Sequence, residues 1–332
     1  MKIAGRSVGT GEPCFIIAEV GANHDRKLSQ ARELIDIAAE SGADAVKFQL
    51  YSAEMLFSEK APEFAVIKDN ELPREWVGEL AEYARNKGLI FLATPFDKEA
   101  VDQLYEIGVP AYKWASLEIV NLPLLRYAAS KGKLMFLSTG ICNLADIQEA
   151  VDTVYSANNK DIILMHCTLT LPNPTKPHQL NLRMMDTMRD AFHLPVGLSD
   201  HTSGFIMTAA VVARGACVIE KHFTLSRKLK GPDHPFALEP GELKQMVEAI
   251  RGVEESLGSP IKQMIPAEKE VPLQRPSLIA KMNIPKGTRL TEDMLIIKRP
   301  SYGIKPKFLD VVIGRETNKD IEKGEGITWD LI

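Results

Sequence analysis

The sequence predicts an α/β fold, a (β/α)₈ (TIM) barrel over residues 1–258, joined by a linker over 259–275 to a small β-rich domain over 276–332. Three observations carry that expectation. Eight short apolar runs alternate with amphipathic helical intervals, and about 250 residues of such alternation is the signature of a barrel whose site lies at the C-terminal ends of its strands. Glycine directly follows several of the helical intervals, where a left-handed residue stops a helix. Beyond Ile250 the periodicity gives way to Pro-, Lys- and Glu-rich sequence and then to short segments punctuated by turns.

Strands are expected at residues 15–19, 45–49, 89–94, 111–115, 134–138, 162–166, 196–199 and 218–222. Each is a run of apolar residues of the length that parallel, doubly covered strands require. Helices are expected at 28–41, where Leu34, Ile35 and Ala38 share a face, and at 75–87, 98–107, 122–131 and 144–156. A doubly wound sheet would carry a Gly-rich phosphate fingerprint after its first strand, and Gly21-Ala22-Asn23-His24 does not supply one. In the C-terminal stretch, Asn283-Ile284-Pro285-Lys286-Gly287-Thr288 is echoed by Asp320-Ile321-Glu322-Lys323-Gly324-Glu325. A β-rich unit of about 57 residues is marginal by itself and gains from packing on a barrel, its own or a partner's.

Side chains on a strand alternate with period two. Glu19 therefore shares a face with Ile17, Lys47 with Gln49, Lys113 with Ala115, Ser138 with Phe136, Thr168 with His166, His201 with Ser199 and Gly197, and His222 with Glu220 and Val218. A barrel filled by apolar layers has no use for a glutamate, two lysines, several hydroxyls and three histidines at one rim unless a ligand binds there. His201 and His222, at the ends of two adjacent strands, read as half of a divalent metal site completed by substrate and water; the alternative is a pair of hydrogen-bonded core histidines.

Composition excludes several classes. Net charge is −4 without a basic tract, which argues against nucleic acid, and no apolar run reaches the length of a membrane span. The N-terminus lacks a signal-peptide pattern, and the four cysteines have no CxxC spacing, so a reducing cytoplasm is expected.

Across nearly its whole length the chain resembles the sialic acid synthase family, which condenses phosphoenolpyruvate with N-acetylated sugars to nine-carbon keto acids. The stretches that carry the resemblance include Ile17-Ala18-Glu19-Val20-Gly21-Ala22-Asn23-His24, Val46-Lys47-Phe48-Gln49, Thr94-Pro95-Phe96, Tyr112-Lys113-Trp114-Ala115-Ser116, Leu137-Ser138-Thr139-Gly140, His166-Cys167-Thr168, Gly197-Leu198-Ser199-Asp200-His201, Glu220-Lys221-His222-Phe223-Thr224 and Gly231-Pro232-Asp233-His234. The C-terminal piece is similar to the antifreeze-like (SAF) domain of that family, with Arg299 at the family's active-site arginine. The resemblance implies that Lys47 and Lys113, with Thr94, Ser116, Ser138 and Ser199, hold the phosphate and carboxylate of phosphoenolpyruvate. It implies His201 and His222 as ligands of a divalent metal, Mn²⁺ first with Mg²⁺ or Co²⁺ as alternatives, which polarises the open-chain sugar aldehyde. Glu19 would position or deprotonate the water that adds at C2, Asp233 would orient water on the metal, and Gln49, Glu118 and Arg299 would contact the sugar. A domain-swapped homodimer is implied as well, each SAF domain capping the partner's barrel.

One stretch departs from the family pattern. After Cys167-Thr168 the chain has Leu169 and Leu171 where polar sugar contacts are usual, which favours a methyl or deoxy substituent on the acceptor. N-acetylmannosamine and a diacetamido trideoxyhexose both stay open as acceptors. Lys176 and His178 follow in a loop that reads as solvated, with new contacts to the substrate as the alternative. Two other classes stand beside the synthase: a Schiff-base aldolase or another phosphoenolpyruvate-dependent sugar-phosphate synthase, and a non-catalytic carbohydrate-binding relative.

Overall fold

The apolar runs form strands β1 (Phe15–Glu19), β2 (Ala45–Leu50), β3 (Ile90–Pro95), β4 (Ala111–Trp114), β5 (Leu134–Ser138), β6 (Ile162–Cys167), β7 (Val196–Asp200) and β8 (Val218–His222) in a computed structural model. Hydrogen-bonded neighbours run β3-β2-β1-β8-β7-β6-β5-β4, and every pairing is parallel. β3 and β4 lie side by side across the remaining seam. This is the eight-stranded barrel the sequence predicts. The structure describes residues 1–170, 173–271 and 274–332, which fall into two compact units, 1–258 and 259–332.

Helices connect the strands, and their ends follow local chemistry. Asp97 caps Lys98–Glu106 by accepting from the Ala100 N–H, and Asn143 with Asp146 forms a capping box at the start of Leu144–Ser156. The helix after β2 begins later than periodicity suggests, at Val77, because Arg74–Trp76 is a 3₁₀ turn. It ends at Asn86, and Gly88, at a φ of +80°, lets the Leu89 N–H reach the Ala84 carbonyl at 2.9 Å. Among the described residues no helix is long and apolar enough to cross a membrane.

Strand alternation separates two apolar layers. Ile16, Ala18, Val46, Phe48, Tyr112, Trp114 and Leu137 face outward and pack against helix residues such as Leu34, Ile35, Leu80, Leu104 and Leu125. Phe15, Ile17, Ala45, Leu92, Ala111, Phe136, Ile163, Met165 and Val218 fill the barrel interior, which the N-terminal hairpin residues Ile3 and Val8 close from below. Inward phase therefore falls on odd residues in β1 and β2 and on residues 163, 165 and 167 in β6. The apolar filling stops short of the C-terminal ends of the strands, and this is what leaves room for a site.

His24, in the loop after β1, is buried against Phe48 and accepts from the Arg26 N–H through Nδ1. Burial lowers its pKa from 6.5 to about 4. The folded-state value lies below the unfolded one, so this contribution to stability is complete above about pH 6.5 and is lost as the pH falls towards 4. Denaturant unfolding at pH 7 and pH 5 is expected to differ by about 1.5–2 kcal/mol on this account. His24→Gln should shrink the acid loss by that amount, and an equal acid loss in wild type and variant would contradict it.

The second unit pairs β9 (Ser277–Ala280) antiparallel with β10 (Leu295–Lys298). Among the described residues the other pairings there are isolated bridges: Ile279 with Gly326, Ile284 with Ile321 and Arg289 with Glu316. The two echoing segments are thus partners, exchanging Ile284 N–H to Ile321 O at 2.8 Å and the reverse at 2.9 Å. Leu278, Ile284, Leu290, Val312, Ile321 and Ile327 form its core.

Candidate active site

A pocket of about 220 Å³ opens at the C-terminal ends of the barrel strands. Eleven of the side chains expected in a site line it: Glu19 from β1, Lys47 and Gln49 from β2, Thr94 from β3, Lys113 from β4, Ser116 just after β4, Ser138 from β5, Ser199 from β7, His201 just after it, His222 from β8, and Asp233. Glu118 is not among the lining residues; its Oε2 accepts from the Asn121 side chain at 3.0 Å. Arg299 is exposed in the second unit, directly after β10. Lys176 and His178 are exposed and outside the pocket lining, and Leu171 lies outside the described residues.

His166 corrects the expectation of three rim histidines. It has outward phase in β6, and its Nε2 sits 2.7 Å from the Leu180 carbonyl. Its neighbour Cys167 has inward phase and lines the pocket instead. Counting in twos from Ile163 and Met165 lands on 167, but only the packed barrel shows that those two residues are the interior ones. Glu220, Phe96, Leu117 and Asn173 also line the pocket without having been assigned a place in it, and Leu169, expected at a sugar contact, lines it as well. Asn173 Oδ1 is shielded from solvent and has no hydrogen-bond partner among the described residues.

The floor is a chain of opposite charges. Lys47 Nζ lies 2.9 Å from Glu19 Oε2 and 3.7 Å from Glu220 Oε2, and Lys113 Nζ lies 3.2 Å from Glu220 Oε1. None of these four side chains is more than 5% exposed. Neutral partners fill the rest: Thr94 Oγ1 accepts from Lys47 at 3.0 Å, Gln49 donates to Glu19 Oε1 at 2.6 Å, and Ser199 donates to Glu220 Oε1 at 3.0 Å. Buried charges persist only when so paired. Burial opposes ionisation of Glu220, yet Lys113 and Lys47 outweigh it and pull its pKa down to about 2. For Glu19 burial wins and its carboxyl is held above the usual range, against the pull of Lys47. Burial also works against the Lys47 ammonium, but its two carboxylates hold the amine above its ordinary value.

Glycine makes the close approaches possible. A Cβ on Gly197 would lie 2.5 Å from the Val218 carbonyl and 2.7 Å from Met165 Sδ, so β7 meets β8 only because none is there. Gly21, at φ +56°, leaves space for the Asp233 carboxylate, whose Oδ2 would be 2.4 Å from a Cβ.

His201 and His222 face one another with ring centroids 5.3 Å apart, and Phe236 packs against both. Burial lowers the His222 pKa to about 3, so its ring is a neutral imidazole, and among the described residues its buried Nδ1 has no hydrogen-bond partner. Asp233 Oδ2 is 3.8 Å from that nitrogen. His201 Nδ1 lies 3.6 Å from Cys167 Sγ. Burial opposes charge on His201 and on Cys167, but each stabilises the charged form of the other, raising the imidazole and lowering the thiol. Among the described residues no three or more His, Cys, Asp or Glu side chains converge as a ready-made cage. A lone nitrogen on a neutral ring, beside a second imidazole and a carboxylate, suits a divalent ion whose other positions go to water and substrate.

Comparison with known proteins gives a consistent picture. The sequence model of the NeuB family matches residues 34–262, and that of the SAF domain matches residues 275–332. An N,N'-diacetyllegionaminic acid synthase of Campylobacter jejuni is 41% identical over 94% of this chain and 98% of its own length. A protein of the same name from Legionella pneumophila is 38% identical over 98% of this chain and 96% of its own. The crystal structure of an N-acetylneuraminic acid (sialic acid) synthetase from Leptospira borgpetersenii, in complex with citrate, superposes with a TM-score of 0.77 at 34% identity, covering 81% of this chain and 94% of that one.

Proposed function

The chain belongs to the NeuB family and carries a C-terminal SAF domain, and from that premise we propose that it is a nonulosonic acid synthase joining phosphoenolpyruvate, an N-acetylated aldose and water into a nine-carbon 2-keto acid and phosphate. The observation that carries this reading is the pairing of two buried lysines with hydroxyls at the barrel mouth, beside two imidazoles. Lys47 and Lys113, with Thr94, Ser116, Ser138 and Ser199, are charge-assisted and neutral donors for the phosphate and carboxylate of phosphoenolpyruvate. An anion arriving there competes with Glu19 and Glu220 for the same ammonium groups, which sets the orientation of both lysines before substrate binds.

His201 and His222 would hold a divalent metal, Mn²⁺ first; when bound it supplies Lewis-acid polarisation of the sugar aldehyde. C3 of phosphoenolpyruvate attacks that aldehyde, water adds at C2, and collapse of the tetrahedral centre breaks the C–O bond to release phosphate. Glu19, with its carboxyl held high by burial and its Oε1 fixed by Gln49, is placed to take the proton of the adding water. Asp233, fixed by the Ala22 N–H at 2.9 Å, orients water beside His222.

Phe96, Leu117 and Leu169 give one part of the lining an apolar character. It suits an acceptor with a methyl in place of a hydroxymethyl group, which agrees with the names of the two legionaminic acid synthases to which the chain is similar. Phosphate release from phosphoenolpyruvate, with and without metal, across a panel of N-acetylated aldoses tests both levels of the proposal. A diacetamido trideoxyhexose is expected to exceed N-acetylmannosamine in kcat/KM by roughly 10- to 100-fold. No release with any aldose would overturn the synthase reading. A Schiff-base aldolase is the weaker alternative, because the Glu19 and Glu220 charges keep Lys47 protonated and therefore a poor amine nucleophile; borohydride trapping of substrate on either lysine would favour it.

The proposal extends to a homodimer with shared sites, Arg299 reaching the sugar of a partner's barrel. Leu117 and Ile141, in the loops after β4 and β5, are 57% and 68% exposed, and a partner surface would cover them. Mixing the impaired Lys113→Met and Arg299→Ala proteins at limiting phosphoenolpyruvate should raise activity above that of either alone through hybrid dimers. Subunit exchange shown by tagged pull-down, with no rise in activity, would contradict it.

A further inference from the structure

His234 follows directly on Asp233 but turns away from the pocket, into a site that none of the chemistry above uses. Its ring is 0% exposed. Nδ1 lies 2.6 Å from Thr224 Oγ1, and Nε2 lies 2.9 Å from Asp25 Oδ1. One assignment of hydrogens uses every polar atom: the Thr224 hydroxyl donates to Nδ1, Nε2–H donates to Asp25, and Asp25 Oδ2 accepts from Gln30 Nε2 at 2.8 Å. Carboxylate, imidazole and hydroxyl in a row is also the order of a nucleophile triad. Burial rules that role out, since Thr224 is 0% exposed, lies outside the pocket lining, and accepts at Oγ1 from the Ser226 N–H at 3.2 Å.

What the cluster joins is more telling. From Leu225 to Pro235 every residue is exposed or half-buried except His234, so this ring is the one fully buried anchor of the loop that carries Asp233. A Cβ on Gly231 would lie 2.8 Å from His234 Cδ2, which shows how closely the ring supports the loop backbone. Asp233 Oδ2 accepts from the Ala22 N–H at 2.9 Å and lies 3.8 Å from His222 Nδ1. Ser226 and Arg227 tie the start of the loop to Glu239 and Glu242 at the surface, and a displacement of about 1 Å in a group at a reacting centre costs on the order of a hundredfold in rate, so the end that carries Asp233 depends on its one buried anchor.

We propose that Asp25, His234 and Thr224 form a clasp that locks loop 225–235 onto the segment after β1 and so fixes the Asp233 carboxylate beside His222. His234 is then a positioning residue that acts through Asp233, a role that rests on the reading of Asp233 as part of the active site. Two measurements on the full-length protein separate the clasp from that reading.

The loop carries Arg227, Lys228 and Lys230, all exposed, so limited trypsin digestion reports its opening directly. His234→Asn and Asp25→Asn are expected to speed cleavage in the loop roughly tenfold, with the thermal midpoint of the whole chain little changed. Thr224→Val, which keeps the shape and removes only the hydroxyl, serves if His234→Asn does not fold. In the phosphate-release assay His234→Asn should lower kcat roughly tenfold at unchanged KM for phosphoenolpyruvate, and should add less than about twofold in an Asp233→Asn background. Unaltered proteolysis in both His234→Asn and Thr224→Val would overturn the clasp. Faster proteolysis combined with fully additive rate losses would overturn its action through Asp233. Absence of phosphate release in the wild type would refute the synthase, and the trypsin result would still decide the clasp.

Discussion

His201→Ala and His222→Ala are each expected to reduce kcat by about two to three orders of magnitude. The loss corresponds to about 3–4 kcal/mol of transition-state stabilisation, the scale on which a Lewis acid acts at a developing alkoxide. Neither ring is a keystone of the core: both pack against Phe236 at the pocket wall, so the thermal midpoint should move by only a few degrees. Metal affinity gives a readout independent of turnover. Mn²⁺ titration followed by electron paramagnetic resonance should show tight binding in the wild type and loss of it in either variant. Near-full activity of either variant after chelation and metal add-back would remove the two-histidine site from the mechanism.

Lys47→Met and Lys113→Met should weaken phosphoenolpyruvate binding by roughly ten- to a hundredfold each, since a hydrogen bond to a charged group contributes about 1.5–3 kcal/mol. Calorimetric titration or the KM for phosphoenolpyruvate measures the effect. The charge chain adds a complication that the same geometry resolves. Removing Lys113 leaves Glu220 with Lys47 at 3.7 Å as its remaining cation, and removing Lys47 strips Glu19 of its ion pair. Breaking a buried pair typically destabilises a fold by about 3–5 kcal/mol, so part of any activity loss could be structural. Lys113→Met combined with Glu220→Gln neutralises the orphaned carboxylate. It should recover most of the stability while phosphoenolpyruvate affinity stays low. Recovery of affinity together with stability would mean that Lys113 supports the fold and does not hold the anion.

Much of this molecule was legible in the sequence because a parallel barrel imposes strong local rules. A strand buried on both faces must be a run of apolar residues, and a helix that covers it must show one apolar stripe, so Phe15–Glu19 and Leu28–Glu40 declare themselves without a partner in view. The same logic exposed the site. A polar residue where packing demands Val or Leu is anomalous on its own strand, and Glu19, Lys47, Lys113, Ser138, Ser199 and His222 were all visible as such.

Tertiary structure alone decided which of those residues meet, and on what terms. Period two leaves two phases for each strand, and the interior phase of β6 depends on which residues its neighbours bury; that choice sent His166 to the Leu180 carbonyl and Cys167 to the pocket. Glu220 was legible as a strand residue but not as the bridge between Lys47 and Lys113, because residues 47, 113 and 220 come together only when the barrel closes. The same holds for the Asp25–His234 contact, whose partners lie 209 residues apart. In the second unit two similar segments were visible as an echo, and folding made them hydrogen-bonded partners. Local sequence fixes secondary structure and its polar anomalies through short-range sterics and burial, whereas the pairing of charges depends on through-space distances that only the closed barrel sets.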